Sequence, residues 1–178
     1  MDWQAVIDKY YPEDNRLRYI LMTHSRQVAD KALNLASRHP ELALDLEFIE
    51  EAAMLHDIGI FMCDADGIYC FGTKPYICHG TIGADLLRAE GFPCHALVCE
   101  RHTGAGIPLA EIIERDIPVP HRDLMPLSME EKLICYADKF FSKTKLEREK
   151  TFDEACQSLL KFGPDTISRF NALAEQFE

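Results

Sequence analysis

The sequence predicts an all-α protein. Apolar residues recur at three- and four-residue steps over long stretches, as on one face of a helix. Capping and stopping residues stand at the ends of those stretches. The one run with strand character, Gly67-Ile68-Tyr69-Cys70-Phe71-Gly72, is short.

Leu17, Ile20, Leu21, His24, Val28, Ala32 and Leu35 set one face of a first long helix, from about Asn15 to Arg38. Asp45 is placed to cap the next, whose inner face carries Ile49 and Ala53, then His56 and Asp57 near its end, before Gly59 breaks it. Residues 60–78 read as loop, with Asp64-Ala65-Asp66-Gly67 and Thr73-Lys74-Pro75 as turn signals and a short strand or hairpin expected at 67–72. A helix from about His79 to Glu90 presents His79, Ile82, Gly83, Leu86 and Leu87 on one side and stops at Gly91. Pro93 to His102 forms a shorter one, ended by the loop Thr103-Gly104-Ala105-Gly106, and Leu109 to Arg115 another. Pro118, Pro120 and Pro126 keep 117–127 irregular. Ser128 and Glu131 have capping-box spacing and open a helix expected to run to about Leu146. Thr151 and Glu154 repeat the signature, and Gly163-Pro164 separates that helix from the last. Lys143, Lys145, Arg148 and Lys150 read as a solvated helix end.

The 178 residues, 47% apolar, fit one domain over 1–178 with a core of useful size. With 19 basic and 30 acidic residues the formal charge is −11, which excludes a general nucleic-acid binder but leaves room for a small anionic substrate in a local positive pocket. The seven cysteines are odd in number and contain no C-x-x-C pair, which argues against a closed zinc site or a disulfide framework and for reduced, mostly buried side chains. The N-terminus has no signal-peptide pattern, and no run approaches the roughly 18 apolar residues of a membrane span. The expectation is a cytoplasmic protein with no membrane partner. Nothing in the sequence sets the number of subunits.

Ionisable residues on faces that should be buried carry the chemistry. His24 interrupts the apolar stripe of its helix, His56 and Asp57 close the next, His79 opens another, His102 ends a short helix, and Asp138 lies on the stripe with Ile134 and Phe141. Any one of them alone reads as a satisfied core residue or a salt-bridge partner. Together they form an imidazole–carboxylate set that suits Fe, Mn, Zn, Co or Ni, and groups on separate helices converge inside a bundle. Asp57 is placed to bridge two ions. His39, His95 and His121 read as surface or packing residues.

The order His24, His56-Asp57, His79, His102, Asp138 resembles the HD-domain superfamily of metal-dependent phosphohydrolases. Ala53-Met54-Leu55-His56-Asp57-Ile58-Gly59 contains the HDIG variant of the family motif, and Tyr136-Ala137-Asp138-Lys139 looks like its closing Ala-Asp-Lys. Glu100-Arg101-His102-Thr103-Gly104-Ala105-Gly106-Ile107 and Glu130-Glu131-Lys132 are similar to an HDIG subgroup of small phosphohydrolases. The resemblance spans roughly Thr23 to Phe141. It implies a compact bundle of about six to eight helices. It also implies a first divalent metal on His24, His56, Asp57 and Asp138, and a second, bridged by Asp57, on His79 and His102, with Mg among the candidate ions. Position 60 is Ile, where nucleotidase-like and stringent-response relatives tend to carry Glu and triphosphohydrolases His shortly after the pair, so those branches are not indicated. The likeness of Arg101-His102 and Gly106-Ile107-Pro108 to the cyclic-di-GMP branch is partial.

The expected reaction is hydrolysis of a phosphate ester of a small metabolite, a nucleotide first, by a hydroxide between two metals about 3.5–4 Å apart. Asp57 is the central catalytic residue. Lys74, Arg101 and Lys139 are the candidate phosphate contacts, with backbone N–H groups of Thr103 to Gly106 at the mouth. Two other functions share the ligand set: a di-iron oxygenase acting on a polyol or phosphonate, and a nucleotide-sensing module without turnover.

Overall fold

In a computed structural model covering residues 1–178, nine helices pack with one very small sheet. The helices are α1 (Trp3–Tyr10), α2 (Arg16–Arg38), α3 (Leu46–Leu55), α4 (His79–Ala89), α5 (Pro93–Arg101), α6 (Leu109–Glu114), α7 (Met129–Asp138), α8 (Phe152–Leu159) and α9 (Pro164–Phe177). The Asp45 cap and the Thr151/Glu154 box form as the sequence predicts, and Asn15 adds a cap. The Asn15 side chain accepts from Arg18 N at 3.0 Å to start α2, and Asp45 accepts from Phe48 N at 3.0 Å to start α3. Thr151 and Glu154 complete a reciprocal capping box on α8.

Two buried clusters meet around the centre of the molecule. One gathers Val28, Ala32 and Leu35 of α2 with Ile49, Ala53, Val98, Ile134 and Tyr136, and is closed by Phe170, Leu173 and Phe177 of α9. The other joins Ile7 and Leu21 to Leu55, Ile58, Leu87, Ala96 and Cys99. His24 stands on α2 between Leu21 of one cluster and Val28 of the other, so the polar centre sits on the seam between them.

Close backbone approach fixes that seam. A Cβ on Gly59 would lie 2.3 Å from the carbonyl oxygen of His79 and 2.5 Å from Gly83 N, so only glycine lets the turn after α3 touch the start of α4.

Three boundaries differ from expectation. The hairpin pairs β1 (Asp64–Ala65) with β2 (Cys70–Phe71), so residues 67–72 supply one strand and part of the connection, and the partner strand lies in what reads as a turn signal. Helix α7 stops at Asp138, eight residues before Leu146. There Phe140 N and Phe141 N donate to carbonyls three residues back, at 3.3 and 3.2 Å, and Lys150 N returns to Phe140 O at 2.8 Å, folding 139–150 back over the helix end. At the start of α7 only half of the expected capping box forms. Ser128 accepts from Glu131 N, but the Glu131 carboxylate accepts from Leu127 N at 2.9 Å and pairs with Arg101. All seven cysteines are free thiols, five of them buried. No helix is long and apolar enough to cross a membrane.

Candidate metal centre

Four imidazoles and two carboxylates converge where α2, the ends of α3, α5 and α7, and the start of α4 meet. All six side chains are buried. The local backbone orients three of the rings in the same way. His56 Nδ1 lies 2.6 Å from Ala53 O, His79 Nδ1 2.6 Å from Tyr76 O, and His102 Nδ1 2.7 Å from Cys99 O. A carbonyl only accepts, so each Nδ1 carries a proton and each Nε2 is turned toward the centre. The Tyr76 ring stacks on His79 at 4.6 Å between centroids.

The two oxygens of Asp57 face different partners. Oδ2 is 3.2 Å from His24 Nε2 and 3.1 Å from His56 Nε2, while Oδ1 is 3.3 Å from His79 Nε2 and 3.5 Å from His102 Nε2. Asp138 Oδ1 completes the first group, 3.0 Å from His24 Nε2 and 3.6 Å from His56 Nε2.

This donor set fits divalent cations. His79 Nε2 and His102 Nε2 lie 3.0 Å apart with both Nδ1 protons committed elsewhere, so two lone pairs face each other. His56 Nε2, Asp57 Oδ1 and both His24 nitrogens are buried without a hydrogen-bond partner, and the one cationic neighbour of Asp57 Oδ2 is Lys143. Buried polar atoms are rarely left this way, and cations at the centre would satisfy those that face it, His24 Nε2, His56 Nε2 and the Asp57 oxygens. His24, His56 and Asp138 lie within ligating distance of one another, as do His56, Asp57 and His102.

The electrostatics agree with that use. Burial lowers the pKa of His79 to about 3 and also lowers that of His102, which keeps both rings neutral. Burial pushes Asp57 up, but His56 and Lys143 outweigh it and hold the carboxyl well below its usual range. Burial likewise raises Asp138, and Lys139 and His24 overcome it. His56 is the exception among the rings: burial lowers it, but Asp57 and Asp138 outweigh that and carry it to about 9.

The expected phosphate contacts divide. Lys139 lines a cavity of about 200 Å³ beside His79, His102 and Asp138, with Nζ 3.0 Å from His102 O and 2.5 Å from Asp138 Oδ2. Arg101 turns away, with Nη1 2.9 and 3.2 Å from the two Glu131 oxygens. Lys74 is exposed and outside the cavity wall, held on the hairpin by its backbone bonds to Asp64 and Met62. Thr103 and Gly104 do reach the cavity.

Lys143 is the residue that sequence reasoning missed. Its side chain is largely buried and Nζ sits 2.6 Å from Asp57 Oδ2, where Asp57 raises its pKa despite burial. It read as solvated because a helix running to Leu146 would carry it away from the centre. The early stop of α7 brings it back, and nothing local in the sequence signals that stop.

The HD domain family matches residues 21–142. The chain belongs to the HD domain family. Most HD domains are metal-dependent hydrolases that bind divalent cations, and His24, His56, Asp57, His79, His102 and Asp138 all lie inside the matched HD segment. An uncharacterized protein of Methanocaldococcus jannaschii is 35% identical over 128 residues, 70% of this chain and 68% of the relative. A tRNA (cytidine(56)-2'-O)-methyltransferase of Thermoplasma volcanium is 27% identical over 151 residues, 79% of this chain and 40% of the enzyme. The enzyme of the same name from Picrophilus torridus is 29% identical over 149 residues, 78% of this chain and 39% of the enzyme. The HD chain thus spans about two fifths of these methyltransferases. No solved structure matches it.

Proposed function

We propose that this HD domain is a phosphohydrolase that holds two divalent cations and cleaves a phosphate ester bond in a small phosphorylated metabolite, a nucleotide first. The observation that carries the reading is Asp57, whose two carboxylate oxygens each face a separate pair of imidazole Nε2 atoms. A carboxylate so placed could serve two cations, with His24, His56 and Asp138 as the residues that would hold one and His79 and His102 the other. When bound, such a pair supplies Lewis acidity and an activated water.

The chain's own residues prepare the rest. Backbone carbonyls lock the imidazole tautomers before any ligand arrives. Lys139, tethered to His102 O, presents an ammonium at the cavity wall where phosphoryl oxygens gather charge. Lys143 stays protonated beside Asp57 and offsets the negative charge of the carboxylates. In the overall reaction a water oxygen bonds to phosphorus, the ester P–O bond breaks, and the departing oxygen takes up a proton.

A second cavity, about 290 Å³, adjoins the first through Thr103, Gly104 and Phe162 and is lined by Ile77, Ile107 and Ile117. It suits the less polar part of a nucleotide. Relatives named for an activity on tRNA support the choice of nucleotides.

A panel of phosphate esters incubated with metal-loaded protein tests the reading. Turnover of at least one nucleotide is expected, with a loss of at least about 100-fold for Asp57→Ala. Absence of turnover across the panel, or full activity in the variant, contradicts it. Oxygen uptake on a polyol or phosphonate, with a mixed-valence iron signal, would replace it with the oxygenase reading.

A further inference from the structure

The basic side chains of this acidic protein are unevenly placed. Arg16, Lys74, Lys132, Lys145, Lys150 and Lys161 have no carboxylate within 4.0 Å, and the last three line one cavity of about 400 Å³ together with Arg148. Its one carboxylate, Glu154, is already engaged, pairing with Arg148 at 2.5 Å and capping Thr151. This cavity joins the one at the metal centre through Lys150, Ser158 and Lys161, so a single trough runs from His79 and His102 to Lys145.

Lys150 shows that the arrangement is built rather than incidental. Its Nζ donates to Lys139 O at 3.0 Å and lies 3.5 Å from Phe141 O, which holds the ammonium half-buried at the trough wall. Burial disfavours its charge, Asp138 counters part of this, and Lys139, Lys143 and Lys161 add repulsion. Of the four ammonium groups around the metal-centre cavity, Lys139 and Lys143 are paired with Asp138 and Asp57, whereas Lys150 and Lys161 have no carboxylate within 4.0 Å, and holding those two side by side is unfavourable unless an anion offsets them. Asp138 and Asp57 offset Lys150 and Lys161 only at longer range, because their oxygens face the imidazoles, Lys139 and Lys143.

We propose that the trough holds a second phosphoryl group of the substrate, bound by Lys150 and Lys161 with the Ser158 hydroxyl, while the first lies at the metal centre. Resting on the phosphohydrolase reading above, this narrows the substrate class to nucleotides that carry two separate phosphoryl groups, in preference to monophosphates. A diffusible molecule is favoured over a polynucleotide because only three of the six unpaired basic side chains gather in this trough and the chain as a whole carries a formal charge of −11.

The test pairs adenosine 3',5'-bisphosphate with adenosine 5'-monophosphate, measuring calorimetric binding and turnover on metal-loaded protein. Lys161 is exposed, so Lys161→Ala should fold normally, and Lys150→Met serves as the second variant. The wild type should bind the bisphosphate at least about tenfold more tightly than the monophosphate. Lys161→Ala should lose about tenfold on the bisphosphate alone, the scale of one charge-assisted contact. Equal affinity for the two nucleotides in the wild type, or equal losses on both in the variants, overturns the proposal. So does lysine-dependent binding of a short oligoribonucleotide in place of the bisphosphate. Lysine-dependent bisphosphate binding without turnover of either nucleotide keeps the second phosphoryl site and removes the hydrolase reading.

Discussion

His79 and His102 illustrate how a buried ring is kept ready for a cation. Each spends its Nδ1 proton on a carbonyl three residues earlier, and burial keeps the ring neutral, so the only group left to face the centre is a lone pair. These positions were readable in the sequence because a polar residue interrupting an apolar stripe is costly and needs a reason. Arg101 and Lys74 were not readable in the same way, since a long cation beside a motif residue can turn toward any carboxylate within reach, as Arg101 does toward Glu131. His56 sets a pH dependence. Its folded-state pKa is raised to about 9, and a cation at Nε2 must displace that proton. Below that value the proton competes, so apparent metal affinity should fall about tenfold per pH unit as pH drops from 9 toward 7. Titrations with a metal-ion indicator across this range measure it, and a pH-independent affinity contradicts it.

At the scale of elements, the centre depends on how closely α3 and α4 approach. Gly59 is the residue that permits it, and an added methyl group there would collide with backbone rather than with a yielding side chain. Gly59→Ala should therefore push His79 away from Asp57 and cost roughly 2–4 kcal/mol of stability, in the range of overpacked cores and strained backbone. Chemical denaturation measures the stability, and metal content of the purified variant reports the loss of the His79 side of the centre. Unchanged stability and metal content would show that the turn can move aside. The helices themselves were legible from caps and apolar spacing. The exceptions were α1, which the sequence reading did not place, and α7, whose end at Asp138 is set by tertiary bonds from Lys150 and the 139–141 turn. That single boundary hid Lys143 and Lys150, and with them the basic side of the site.

For the whole molecule, a formal charge of −11 describes the outer surface and not the trough beside the metal centre. The sequence showed which residues could ligate metal because their types are restrictive. It did not show where unpaired lysines gather, because that depends on how residues 139–150 fold back over the end of α7 and against α2. The central claim is that Asp57 bridges two cations, one on each side. Elemental analysis of protein loaded with a divalent metal and freed of excess tests it most directly. The account predicts two equivalents per chain for the wild type, one for His79→Ala, and none for Asp57→Ala. A single equivalent in the wild type, left unchanged by His79→Ala, would contradict it.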